Sequence, residues 1–189
     1  VAHLEYLPMP GGDAAIWNPW RLAAGYVYAL TGEVPRLPVA PGALDMVRAQ
    51  VDRRLNTPLT SAAGRLFDAV AALAGIRQAV SYEAQAAVEL EMAAAHPGAA
   101  RAAPYPFELE TVDGLGVIRL RALLEAVQAA VLAGTGVSEI AWRFHETMAA
   151  AAAAVCSRLA GETGIATVAL SGGCFQNRLL LALTAGRLR

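Results

Sequence analysis

The sequence contains no lysine; all 15 of its basic residues are arginine. This excludes lysine Schiff-base chemistry and a phosphate-binding P-loop lysine. Cysteine is nearly absent. Cys156 and Cys174 are too few for a four-cysteine zinc site or a disulfide framework, and they read as reduced thiols of a cytoplasmic protein. His3, His96 and His145 stand far apart, with no metal-ligand spacing between them. Charge is sparse and balanced, at 16% charged residues and a formal net charge of -1. No basic field is available to attract nucleic acid or an anionic membrane. The longest apolar run, Met148 to Val155, is mostly alanine and far short of the roughly 20 residues a membrane span requires. No signal-peptide pattern is visible at Val1. The expectation is a cytoplasmic location, no nucleic-acid or membrane partner, and no metal site within the chain.

What is present is a core-forming composition, 189 residues long and 56% hydrophobic, about one domain in size. The chain starts without methionine and ends inside a helical pattern at Arg189, so it reads as a piece of a longer polypeptide. The predicted class is α/β, mostly helical. Residues 1–100 form a helical part. Asp13 is placed to cap a helix carrying Trp20, Tyr26, Val27 and Leu30, with further helices over Gly42 to Leu55, Ala62 to Ala74 and Tyr82 to Ala95. Asn56 to Ser61 reads as a capping segment, and Gly75 as a C′ glycine.

Residues 101–189 form an α/β part. Asp113-Gly114 between two short β-prone runs is a hairpin signal. Helices are predicted over Leu120 to Leu132 and Val137 to Ala160. Ile165 to Leu170 is read as a buried parallel strand, Ser171-Gly172-Gly173 as its turn, and Cys174 to the end as a helix.

Two local patterns point to a ligand. In Leu170-Ser171-Gly172-Gly173-Cys174-Phe175-Gln176-Asn177, the double glycine permits close backbone approach. Free N–H groups at a helix start suit a phosphate or another anion. Asn177, in the first helical turn, can point its amide at the same ligand. An ordinary tight strand-to-helix turn accounts for the same residues. In the second pattern, Gly64 and Asp68 are four apart and share one helix face. A face without a side chain at Gly64 and with a carboxylate one turn on suits a ribose, while Leu66, Phe67, Val70 and Leu73 pack elsewhere. Close helix packing with a solvated Asp68 is the alternative. Glu83 and Gln85 lie near a helix start; a solvated acidic first turn is the default there. His145 and Cys156 read as structural, and Cys174, despite its helix N-terminus, as a packing residue. No nucleophile–base–orienter set is visible.

Taken together, several segments resemble the HypF carbamoyltransferases, which mature [NiFe]-hydrogenases. They are Pro10-Gly11-Gly12-Asp13-Ala14-Ala15-Ile16 with Asn18-Pro19-Trp20-Arg21, Thr60 to Val70, Tyr82 to Ala87, Phe144-His145, and Leu170 to Arg178. The resemblance covers nearly the whole chain and implies part of an actin/Hsp70/sugar-kinase-like nucleotide-binding domain, similar to the tRNA threonylcarbamoyl-transferases. By resemblance, Gly64 and Asp68 are ribose-side contacts, Gly172 and Gly173 phosphate-side glycines, and Asn177 the asparagine of the same motif.

The implied reaction transfers a carbamoyl group to the C-terminal cysteine thiol of HypE. Its donor is carbamoyl adenylate, made from carbamoyl phosphate and ATP, and the group later becomes the cyanide ligand of the hydrogenase iron. A divalent metal is implied, with ligands outside this chain, so the chain by itself is expected to lack a working site. Cys174 stands where the family often has valine. Ala84 stands where it often has glycine, and there it is expected to crowd the pocket. A kinase-like phosphotransferase of the same fold and a non-catalytic helical interaction module are the alternatives.

Overall fold

A computed structural model describes residues 1–98 and 100–189. Its strands are β1 (Ala2–Leu4), β2 (Leu7–Pro8), β3 (Leu59–Thr60), β4 (Glu108–Val112) and β5 (Leu115–Arg119). Its helices are α1 (Asp13–Trp17), α2 (Pro19–Thr31), α3 (Ala43–Arg53), α4 (Ala63–Leu73), α5 (Gln85–Ala94), α6 (Arg121–Leu132), α7 (Val137–Thr163) and α8 (Arg178–Arg187). The fold is mixed α/β and mostly helical, as the sequence predicts.

The hairpin forms where Asp113-Gly114 indicates. Both residues have positive φ, 49° and 79°, the geometry of a type I′ turn whose twist matches the flanking strands. β5 pairs antiparallel with β4 on one side and parallel with β1 on the other. Glu5 secures that junction: its carboxylate accepts from Arg119 Nη1 at 2.8 Å and from the Leu120 N–H at 3.0 Å. The core lies among the helices, where Leu22, Leu66, Val70, Leu90, Leu123, Leu124, Ile140 and Phe144 are fully buried. The β1–β5 pairing crosses between residues 1–100 and residues 101–189, and the core residues come from both, so one packed interior joins the two parts.

Several expectations are corrected. Asp13 does not cap; Gly12 occupies the N-cap and Asp13 is the first helical residue. Asn18-Pro19 breaks the first helix into α1 and α2, because proline has no N–H for the preceding turn but suits the first turn of a new helix. Asn56 to Ser61 is not only a cap. Leu59–Thr60 pairs antiparallel with β2, although the Thr60 hydroxyl does accept from the Ala62 N–H. α5 starts at Gln85 instead of Tyr82, because Ala84 is left-handed at φ 66°.

Ile165 to Leu170 forms no strand. Ile165 is 66% exposed, and a parallel strand needs a partner edge to satisfy its backbone. Val168 to Leu170 instead border a groove of about 360 Å³ that also touches Ala2, Leu4, Ile118 and Val155. Finally, Cys174 to the end is not one helix: a 3-10 turn at Gly173–Gln176 precedes α8.

Candidate functional site

Helix α4 follows from apolar residues spaced three and four apart, and it ends on a Schellman motif. Gly75 is left-handed at φ 79°, and the Ile76 N–H returns to the Ala71 carbonyl. Its first turn leaves Gly64 facing open space, since a Cβ built there meets nothing within 4 Å. That space is a cleft of about 480 Å³. Gly64 and Phe67 of α4, with Glu83, Ala84, Ala87, Val88 and Glu91 on and just before α5, form one side; Gly173, Cys174, Gln176 and Asn177 form the other. The volume suits a small molecule the size of a nucleoside. A larger groove, about 810 Å³ at Tyr6, Tyr28, Leu59 and Arg121, shares no residue with it.

Gly64, Gly173 and Asn177 are thus brought together from segments more than a hundred residues apart. Gly172 immediately precedes the lining, at φ 93° and ψ 166°, a backbone conformation open essentially to glycine alone. Asp68 is not among the lining residues. It is 2% exposed, and its carboxylate sits 3.3 Å from Arg65 Nη1. Arg65 reaches on to the largely exposed Glu83 at 3.6 Å. Desolvation pushes the Asp68 carboxyl up to about 6, outweighing the attraction of Arg65. Asp68 is thus set behind the cleft wall, linked to the lining residue Glu83 only through Arg65.

The start of α8 differs most from expectation. Asn177 is its N-cap: Oδ1 accepts from the Leu180 N–H at 2.7 Å, and the Asn177 carbonyl accepts from the Leu181 N–H. The remaining two N–H groups of that turn, from Arg178 and Leu179, both donate to Glu91 Oε1, at 2.8 and 3.2 Å. A carboxylate of α5 already occupies the place where a free anion would bind. The amides of Gly172, Gly173 and Cys174 make no hydrogen bond among the described residues. They are the backbone donors left on this wall.

Asn177 Nδ2 lies 2.9 Å from His145 Nε2. His145 is fully buried against Phe67 and Phe144, with ring centroids 5.2 and 6.1 Å away. His145 is the structural, hydrogen-bonded helix histidine the sequence predicts, but its partner Asn177 and the seat of Glu91 on α8 are not legible there, because those contacts lie 32 and 87 residues away. The cap at Asn177 carried a local signal, an asparagine just before an apolar helical run. Phe67, expected to pack elsewhere, lines the cleft.

A family model described as "Carbamoyltransferase, Kae1-like Domain, second subdomain" matches residues 1–189. The chain belongs to the HypF carbamoyltransferase family. It is 41% identical to a carbamoyltransferase HypF homolog of Cupriavidus necator, over 96% of this chain and 48% of that protein. Identity to HypF of Rhodobacter capsulatus is 40%, over 97% of this chain and 24% of that one. A crystal structure of full-length HypF in the phosphate- and nucleotide-bound form superposes with a TM-score of 0.87 at 35% identity, covering all of this chain and 29% of that chain. The chain thus spans from about a quarter to about a half of the length of these HypF relatives. Among the described residues, no three His, Cys, Asp or Glu side chains converge as a metal-ligand set, and no helix is long and apolar enough to cross a membrane. The described side chains do not fit a divalent metal.

Proposed function

We propose that this subdomain supplies two walls of the nucleotide pocket of a HypF carbamoyltransferase acting in the cytoplasm. The observation that carries the reading is that the Gly64 face and the Gly173–Asn177 turn line one cleft of about 480 Å³. The nucleoside rests against Gly64, Phe67, Ala87 and Val88. Its ribose hydroxyls donate to the carboxylate side of the cleft, where Glu83 is tied through Arg65 to Asp68. The Gly172 and Gly173 amides face the phosphate, and Asn177 contributes its amide beside them. α8 contributes no free N–H, since Glu91 and Asn177 hold all four.

In the reaction proposed for the full-length protein, ATP and carbamoyl phosphate supply carbamoyl adenylate. The C-terminal cysteine thiolate of HypE attacks its carbonyl carbon. The C–S bond forms, the bond from that carbon to the phosphate oxygen breaks, and AMP leaves with the electron pair. This chain's residues hold the adenylate so that the carbonyl faces the incoming thiolate. The chemistry is completed by parts of the protein beyond this subdomain.

Replacing Gly64 with leucine tests the reading. The new Cβ meets no protein atom within 4 Å, and the rest of the side chain extends into the cleft. Helix propensity favours leucine over glycine by roughly 0.5–1 kcal/mol. The expected result in the full-length protein is at least a tenfold loss of ATP or AMP affinity by calorimetry, with Tm unchanged or raised. Wild-type affinity in G64L would rule the cleft out as the nucleotide site.

A further inference from the structure

We propose that His145 is a positioning residue that locks the Asn177 amide in one orientation, so that its second Nδ2–H is presented to the cleft as a donor to an acceptor atom of the nucleotide. The proposal rests on the nucleotide reading of the cleft. Its geometry is fixed from two ends. At one end, the Ala141 carbonyl lies 2.8 Å from His145 Nδ1. A carbonyl oxygen can only accept, so Nδ1 carries the proton. The ring is fully buried, which disfavours the imidazolium. Nε2 therefore offers a lone pair, and the group 2.9 Å from it must be the NH₂ of Asn177.

At the other end, the Leu180 N–H at 2.7 Å requires an acceptor, and that acceptor is Asn177 Oδ1. Both constraints select the same rotamer of the amide. A flipped amide would set its NH₂ against the Leu180 N–H and its oxygen against the Nε2 lone pair, losing both hydrogen bonds. The edges of Phe67 and Phe144 hold the imidazole plane. One Asn177 N–H remains uncommitted, and Asn177 lines the cleft. The ligand atom it meets is an acceptor, such as a phosphate oxygen or an unprotonated ring nitrogen.

The test uses the full-length protein with ATP and AMP as probes, comparing H145F, H145Q, N177A and the double variant H145F/N177A by calorimetry. Phenylalanine keeps an aromatic ring, larger than imidazole, without an acceptor, while glutamine restores one through Oε1. Loss of one such hydrogen bond corresponds to roughly a tenfold weaker Kd. The expected result is that loss in H145F, recovery of most of it in H145Q, and no further loss when H145F is added to N177A. Unchanged Kd in H145F while N177A is weakened overturns the positioning role and leaves the cleft reading intact. Additive losses in the double variant overturn it too, since His145 would then act independently of Asn177. Unchanged Kd in N177A removes the cleft reading, and this proposal with it. Should H145F fail to fold, long-range ¹H–¹⁵N spectra of the histidine-labelled wild type decide: an Nδ1-protonated His145 supports the lock, and an Nε2-protonated one refutes it.

Discussion

Ala84 is held at φ 66° and ψ 5°, where an L-residue brings its Cβ too close to the carbonyl oxygen, at a cost of about 1–2 kcal/mol. Changing it to glycine removes that strain. Against the gain stands the greater freedom of glycine in the unfolded chain, roughly 0.5–1 kcal/mol. The net expectation for A84G is a stabilisation of about 0.5–1 kcal/mol. For a chain of this size that corresponds to a Tm rise of roughly 1–4 °C. Ala87, on the same helix and the same wall of the cleft, supplies the control. It lies within α5, so A87G should lose about 0.5–1 kcal/mol. Urea unfolding of both variants measures the two signs directly. If A84G and A87G fall together, backbone strain at residue 84 is refuted. The cleft already accommodates the Ala84 methyl on its wall, so a gain in A84G reports relief of backbone strain and not of crowding.

Two further changes test the electrostatics. The folded-state carboxyl of Asp68 is raised from 3.8 to about 6, so the native state binds its proton more tightly. The associated stability is complete below about pH 4 and lost as pH rises through about 6, amounting to roughly 1–1.5 kcal/mol between pH 5 and pH 7.5. D68N should flatten the stability curve over that window, and parallel wild-type and D68N curves would show that Asp68 titrates normally. Removing Glu91 strands the Arg178 and Leu179 N–H groups. E91A should cost about 1–2 kcal/mol and speed hydrogen exchange at the start of α8, with E91Q recovering much of it because an acceptor remains. Slow exchange at Arg178 and Leu179 in E91A would count against the contact.

The parts of this fold legible in the sequence are those whose cause is local. Asp113-Gly114 encodes its hairpin because the turn itself demands two positive φ values. The apolar spacing of Ile140, Phe144 and Met148 likewise encodes α7. Ile165 to Leu170 shows the limit: its composition suits a strand, but a strand exists only where another edge accepts it. β2 and β3 show the reverse, two residues each, with no local signal and a partner at the far end of α3. At the cleft, Gly64 and the Gly173–Asn177 turn were readable as separate ligand-shaped features, and the family resemblance joined them. The burial of Asp68 and the seating of Glu91 on α8 depend on how α4 packs against α2 and α5, and how α5 and α8 both pack against α7, which no short window of sequence contains.

The parallel pairing of β1 has a consequence for biosynthesis. The Glu5 carboxylate and its partner Arg119 are 114 residues apart, and β1 has no other strand beside it among the described residues. During translation β1 emerges long before β5, and the Leu4 side chain, buried in the finished fold, lacks its β5 neighbour Ile118 until then. Closing so long a loop comes late and slowly. Within this subdomain, β1 is therefore a stretch on which a ribosome-associated chaperone would have much to shield.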